Sequence, residues 1–224
     1  VKTIKSEYLT RDTADEYLKR FRREAQSAGG LNHPAIVRVF DLGDDFLVME
    51  LVEGRTLHRL IREEGRLAPE KALRLLAPVA DAVDHAHRAG IVHRDIKPAN
   101  VMVDPGGQPK LMDFGVAKIE ASVMTTAGQI LGPPSYMSPE QLQGRAVDVR
   151  TDVFALGVIV IEALTGNRPF SGSTIPALAE IQIANKNDEE SVRTLERNVL
   201  REDLHGDSLD LWLTTLKRLQ RDRS

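Results

Sequence analysis

Two clusters of polar residues, on either side of a predicted β-hairpin, constrain this chain more than any other feature. The first is the stretch His93–Asn100, which reads His-Arg-Asp-Ile-Lys-Pro-Ala-Asn, and the second is Asp113. The short runs Val101–Val103 and Lys110–Met112 lie between them around a Pro-Gly-Gly turn, which is typical of a hairpin. A hairpin returns the chain to where it started, so we expect Asp113 to lie close to Asn100.

The residue types in these clusters suit the transfer of a phosphoryl group. Asp95 can accept the proton of a hydroxyl nucleophile, and Lys97 can neutralise charge on the phosphoryl group in flight. Asn100 and Asp113 offer the oxygen ligands that Mg²⁺ prefers. The alternative for each aspartate is a simple turn or cap role. The presence of Arg94, Lys97 and Asn100 beside Asp95 favours a catalytic role over a structural one. We call residues 93–100 the catalytic loop.

Further motifs follow in a fixed order and together resemble one family. Lys97-Pro98 follows Asp95 as it does in enzymes that phosphorylate serine or threonine. The other motifs are, in chain order, Phe21–Ala25, Leu31–Val37, Asp113-Phe114-Gly115, Ser138-Pro139-Glu140 and Thr151–Gly157. From Val1 to about Phe170 the chain is similar to the bacterial Hanks-type (eukaryotic-like) serine/threonine protein kinases.

The resemblance implies an α+β, bilobal protein kinase fold. Residues 1–52 would form part of a β-rich N-lobe, and residues 53–224 a mainly helical C-lobe. The family's Gly-rich loop would precede Val1, so we expect a truncated N-lobe. Apolar periodicity and punctuating Gly and Pro residues predict helices at about 15–28, 57–63, 69–88 and 153–164, and strands at 36–40 and 46–51. Pro78 is expected to kink or loosen the longest helix.

The resemblance also implies a site for ATP and Mg²⁺ between the lobes. Lys2 would hold the α- and β-phosphates and pair with Glu24; the alternative for Lys2 is an ordinary solvated side chain. The implied adenine contacts are Met49, the Glu50 carbonyl, the Val52 amide and Met102. For Met49 and Met102, plain core packing is compatible with this role.

Regulation is implied by the activation segment, which we define as residues 113–140. In the family, an arginine before the catalytic aspartate binds a phosphate on this segment and orders it. Arg94 is therefore the expected partner of a phosphate on Thr125 or Thr126, which otherwise would be inert loop residues. Residues 116–137 lack periodicity, and we expect them to be mobile.

The histidines are predicted to be structural. By resemblance, His93 and Phe114 should stack beneath the catalytic loop on an anchor formed by Asp152. His85 and His87 are expected to be ordinary helix residues without a metal to bind.

The implied function is ATP-dependent transfer to serine or threonine hydroxyls of proteins, including the chain's own activation segment. Pro133 stands where the family has a threonine that contacts the catalytic Asp and Lys. This departure, with the missing Gly-rich loop, leaves a pseudokinase or kinase-like interaction module as an alternative. A small-molecule phosphotransferase is a further alternative. Ser138-Pro139-Glu140 and the helix that carries Asp152 count against it, because they would shape a platform for peptides.

Composition excludes some other classes. A net charge of −3 over 224 residues gives no reason to expect nucleic acid or an anionic membrane as the partner. The absence of cysteine excludes disulfides and thiolate metal sites. No apolar run approaches the roughly 20 residues of a membrane span. We expect a cytoplasmic chain, or the cytoplasmic part of a larger membrane-anchored kinase, that acts on protein substrates. The resemblance adds a homodimer as a route to activation.

Overall fold

The computed structural model describes residues 2–3, 29–43, 46–114 and 134–170. The strands of these ranges are β1 (Lys2–Thr3), β2 (Val39–Leu42), β3 (Phe46–Met49), β4 (Arg55–Thr56), β5 (Val101–Val103) and β6 (Pro109–Leu111). The helices are α1 (Leu57–Glu64), α2 (Pro69–Arg88), α3 (Pro139–Leu142) and α4 (Val149–Thr165), and 3₁₀ turns cover Pro98–Asn100 and Pro134–Tyr136. Across these ranges, no helix combines the length and apolarity needed to span a bilayer.

The strands form two small antiparallel sheets that are joined through the chain before β2. In the first sheet β3 lies between β1 and β2, and in the second β5 lies between β4 and β6. The Leu111 carbonyl accepts the Val37 N–H at 2.9 Å, and the Leu111 N–H donates to the Ala35 carbonyl at 2.8 Å. The prediction of a strand at 36–40 was therefore wrong at its start, because the backbone around Ile36 bonds to β6 rather than to β3.

The hairpin between the two polar clusters is confirmed. Val101 pairs with Leu111 and Val103 with Pro109, so the start of β5, which follows the catalytic loop, lies beside the end of β6. The turn closes where the Gly107 N–H donates to the Asp104 carbonyl at 3.0 Å.

Helix α2 has the predicted bounds. Proline suits its first position because the N–H that proline lacks has no helical partner there. At the other end Gly90 adopts φ 76°, which glycine tolerates best. The Gly90 N–H donates to the His87 carbonyl and the Ile91 N–H to the Ala86 carbonyl, both at 2.9 Å, which closes the last turn. Pro78 lies inside the helix without ending it.

Helix α4 is the buried helix predicted at 153–164, extended at both ends. It packs against α2, and the two contribute fully buried side chains such as Leu76, Val79, Leu156 and Ile159. Each such side chain stabilises the fold by about 1.5–3 kcal/mol relative to exposure. Among the apolar residues, α4 also buries the polar Thr151, Asp152 and Glu162, which all have hydrogen-bond partners.

Some predictions fall outside the described residues. These are the helix at 15–28 and most of the stretch 116–137. The end of that stretch is ordered, which corrects our expectation for it: Tyr136 is buried, and its hydroxyl donates to Glu162 on α4 at 2.5 Å.

Candidate active site

The catalytic loop brings three of the predicted side chains together. It lies between α2 and β5 and closes with the 3₁₀ turn Pro98–Asn100. Lys97 Nζ lies 2.7 Å from Asp95 Oδ2, and Asn100 Nδ2 donates to the same oxygen at 2.9 Å. Asn100 Nδ2 also donates to the Asp95 backbone carbonyl at 2.8 Å, which ties the turn to the loop.

These contacts leave two oxygen atoms available. Asp95 is 29% exposed at its side chain, and among the described residues its Oδ1 has no hydrogen-bond partner. Because Asn100 uses its NH₂ group as the donor, its carbonyl oxygen is the atom left over. The loop therefore offers one carboxylate oxygen to a hydroxyl and one amide oxygen to a cation.

Asp113 follows β6 and is half-buried. Its φ of 66° is in the left-handed region, which non-glycine residues seldom adopt and which is common at functional sites. The hairpin joins it to the loop, because the Met112 N–H donates to the Asn100 carbonyl at 2.9 Å.

The donor chemistry of Asn100 and Asp113 fits Mg²⁺. A hard dication takes an amide carbonyl and a carboxylate, and it completes its shell with water and substrate phosphate oxygens. In the described ranges no three His, Cys, Asp or Glu side chains gather into a metal cage, so a metal here would need such outside ligands.

Asp152 on α4 holds the start of the catalytic loop through hydrogen bonds to its backbone. Its Oδ2 accepts the His93 N–H and the His87 Nε2–H, both at 2.8 Å, and its Oδ1 accepts the Arg94 N–H at 2.7 Å. The carboxylate is 1% exposed, so these donors replace the water that it gives up on burial.

The predicted contact between the rings of His93 and Phe114 is confirmed, with centroids 4.6 Å apart, but the ring planes are tilted by 53° rather than stacked. His93 Nδ1 accepts the Asp95 N–H at 3.2 Å, and His93 Nε2 donates to the Met112 carbonyl at 3.0 Å. The prediction that His87 is an ordinary helix residue was wrong. It is buried and donates to Asp152, a contact between residues 65 positions apart.

Arg94 combines strain with an unsatisfied donor. Its φ is 70°, and its buried Nε has no hydrogen-bond partner in the described part of the chain. A buried guanidinium donor without a partner is costly, and a phosphate would satisfy it. The predicted phosphate acceptors Thr125 and Thr126 lie outside the described residues, so this pairing stays a prediction.

The predicted adenine residues lie on or shortly after strands of the two sheets. Met49 ends β3, and Met102 lies in the middle of β5. Within the described ranges, neither the Glu50 carbonyl nor the Val52 amide is used by a protein hydrogen bond. Lys2 pairs through its backbone with β3, but its side chain, like all of Glu24, lies outside what the structure describes.

The Glu50 side chain has a role that the sequence did not predict. Lys110 Nζ lies 2.5 Å from Glu50 Oε1, and the Arg38 N–H donates to Oε2 at 3.2 Å. Burial alone would raise the pKa of Glu50, but these two donors outweigh it and hold the pKa below its usual value. The ion pair joins the segment after β3 to β6. No sequence signal marked it, since the partners are far apart in the chain.

Comparison with known proteins agrees with this geometry. Residues 1–223 match the family model described as the protein kinase domain. The chain is 45% identical over 190 residues to a probable serine/threonine-protein kinase of Streptomyces coelicolor, covering 80% of this chain and 28% of that protein. It is 41% identical over 190 residues to the serine/threonine-protein kinase PknB of Mycolicibacterium smegmatis, covering 80% and 30%. It is 43% identical over 170 residues to the serine/threonine-protein kinase PrkC of Bacillus subtilis, covering 74% and 26%.

The chain spans less than a third of the length of these curated relatives. The family match over nearly the whole chain confirms the bilobal α+β fold class, to which the two small sheets and the helical remainder conform. The chain belongs to the protein kinase domain family, among the bacterial Hanks-type serine/threonine kinases.

Proposed function

We propose that the protein transfers the γ-phosphoryl group of ATP to serine or threonine hydroxyls of proteins. The observation that carries the proposal is the Asp95 carboxylate, whose Oδ2 is held by Lys97 and Asn100 while Oδ1 has no partner among the described residues. The relatives named as serine/threonine-protein kinases support the same reaction.

Each residue of the loop has a role in this reaction. Asp95 Oδ1 accepts the hydrogen bond of the substrate hydroxyl, orients its oxygen towards the phosphorus and takes the proton late in the transfer. Lys97 Nζ lies 2.7 Å from the same carboxylate, which supports a role for its ammonium in neutralising the negative charge that would accumulate on the phosphoryl oxygens. Asn100 and Asp113 would hold Mg²⁺, which when bound would neutralise phosphate charge.

The nucleotide end of the site follows from the family pattern. Lys2 holds the α- and β-phosphates with Glu24 as its partner. The base packs between the two lobes, with contacts from Met49, the Glu50 carbonyl, the Val52 amide and Met102. We infer that the lobes divide the chain into residues 1–52 and 53–224.

Activation is proposed to use the same chemistry on the protein itself. Phosphate on Thr125 or Thr126 gives the buried Arg94 Nε an acceptor and thereby orders the activation segment. Dimerisation as the trigger and a cytoplasmic location stay predictions.

The test is transfer from γ-labelled ATP to a general protein substrate such as casein, followed by analysis of the labelled amino acids. We expect label on phosphoserine and phosphothreonine, with none on phosphotyrosine, and loss of transfer when a chelator removes Mg²⁺. Binding of Mg-ATP with no transfer to any protein would instead identify a pseudokinase. Transfer to small hydroxyl compounds in preference to proteins would identify a small-molecule phosphotransferase.

A further inference from the structure

The orientation of the peptide group that joins Arg94 to Asp95 helps to set the direction of the Asp95 side chain. Arg94 has φ 70°, a left-handed conformation that L-residues other than glycine seldom adopt. Such a conformation persists only where surrounding contacts hold it. A rotation of this one peptide plane would change the direction of the Asp95 side chain.

Both polar atoms of this peptide are held by side chains. The Asp95 N–H donates to His93 Nδ1 at 3.2 Å, within the loop itself. The Arg94 carbonyl accepts a hydrogen bond from Gln141 Nε2 at 2.8 Å, a contact between residues 47 positions apart. Asp152 holds the preceding N–H, so Gln141 supplies the remaining restraint on the carbonyl side.

The amide oxygen of Gln141 also makes a hydrogen bond. Its Oε1 accepts the Ser138 N–H at 3.0 Å, which completes a capping box at the start of α3. Glutamate would fill the capping role equally well, because a capping box needs only an acceptor at this position. A contact with the Arg94 carbonyl requires a donor, and the amide of glutamine provides both functions in one side chain.

We infer that Gln141 is a positioning residue for Asp95, acting through the Arg94 carbonyl. Helix α3 begins directly after Ser138 at the end of the activation segment, so this amide links the end of that segment to the catalytic loop. Any displacement of α3 would withdraw this donor from the Arg94 carbonyl. The role in catalysis rests on the proposed kinase function, whereas the restraint on the peptide does not.

The decisive variant is Gln141→Glu, which keeps the cap acceptor, replaces the donor that faces the Arg94 carbonyl by an acceptor oxygen, and adds one negative charge. We expect kcat for phosphoryl transfer to fall about tenfold, the rate equivalent of one hydrogen bond, with KM for ATP within about twofold of the parent value. The thermal midpoint should stay close to that of the parent because the capping box is intact. Gln143→Glu is the matched control: it makes the same change two residues along, at a side chain without a hydrogen bond among the described residues. It should leave kcat unchanged.

Amide hydrogen exchange of Asp95 provides a readout that does not require activity. We expect exchange at this N–H to accelerate in Gln141→Glu and to be unaffected in Gln143→Glu. If the parent protein transfers no phosphate, the proposed function fails and the exchange measurement alone judges the inference. Parent-like exchange at Asp95 in Gln141→Glu would overturn it, whether or not kcat changes, since Gln141 would then be a helix cap only.

Discussion

Replacing Asp152 by asparagine tests how the catalytic loop is held. The carboxylate accepts three N–H groups, two on Oδ2 and one on Oδ1. Asparagine retains a single acceptor oxygen. In its best orientation that oxygen serves His87 and His93, and the NH₂ group then faces the Arg94 N–H, so two donors oppose each other.

The cost can be worked out from these contacts. Loss of the Arg94 bond leaves a part-buried donor unsatisfied, at about 1–3 kcal/mol. The two remaining bonds become neutral rather than charge-assisted, and each loses about 1 kcal/mol. We therefore expect Asp152→Asn to lower the free energy of unfolding by about 3–5 kcal/mol. At about 2–4 °C per kcal/mol for a chain of this size, the thermal midpoint falls by about 6–20 °C.

Urea denaturation followed by circular dichroism measures this loss, and Asp148→Asn is its matched control. Asp148 is the exposed N-cap of the same helix, and it accepts the Arg150 N–H at 2.8 Å. Asparagine caps helices as well as aspartate does, and the exposed ion pair of Asp148 with Arg150 contributes at most about 1 kcal/mol, so the control should change stability by less than about 1 kcal/mol. Equal stabilities for Asp152→Asn and Asp148→Asn would refute the view that α4 anchors the loop through this carboxylate.

Two further predictions concern other buried or paired carboxylates. Tyr136→Phe removes the only donor that the described residues give to the buried carboxylate of Glu162, so stability should fall by about 1.5–3 kcal/mol in urea denaturation. A change below about 0.5 kcal/mol would contradict this. Burial and that hydrogen bond also raise the pKa of Tyr136. Lys110→Met should raise the pKa of Glu50 towards 4.5 in a carboxyl NMR titration. Because the folded pKa is depressed, the ion pair stabilises the parent above about pH 4.5, and this advantage over Lys110→Met should vanish as the pH falls through the folded pKa. An unchanged pKa would disprove the coupling.

Local chemistry made part of this fold predictable. The bounds of α2 follow from a proline that suits a helix start and from Gly90, which accepts the left-handed conformation after its end. The β5–β6 hairpin follows from its turn residues. The start of β2 could not be read in this way, because the residues around Ile36 bond to Leu111, and nothing in the local pattern reveals that partner.

The residues of the candidate site also differ in whether the local sequence could predict their contacts. The catalytic loop contains Asp95, Lys97 and Asn100 close together in sequence. The motif that identified them as candidates therefore also brings their side chains into contact. His87 and Gln141 make their contacts with residues far away in sequence, and each looks locally like an ordinary helix residue. The capping box from Ser138 to Gln141 was not among our sequence predictions, and its spacing would account for only one end of the glutamine amide.

The most direct test of the central claim is the intact mass of the protein after incubation with Mg-ATP. The parent should be compared with Asp95→Asn and with Asp81→Asn, an exposed aspartate of α2 that is 73% accessible. We predict that the parent and Asp81→Asn gain whole phosphate groups that map to Thr125 or Thr126, whereas Asp95→Asn gains none over the same time. Phosphate gained by Asp95→Asn at the parent's rate would contradict the role of this carboxylate. No gain by the parent would contradict autophosphorylation.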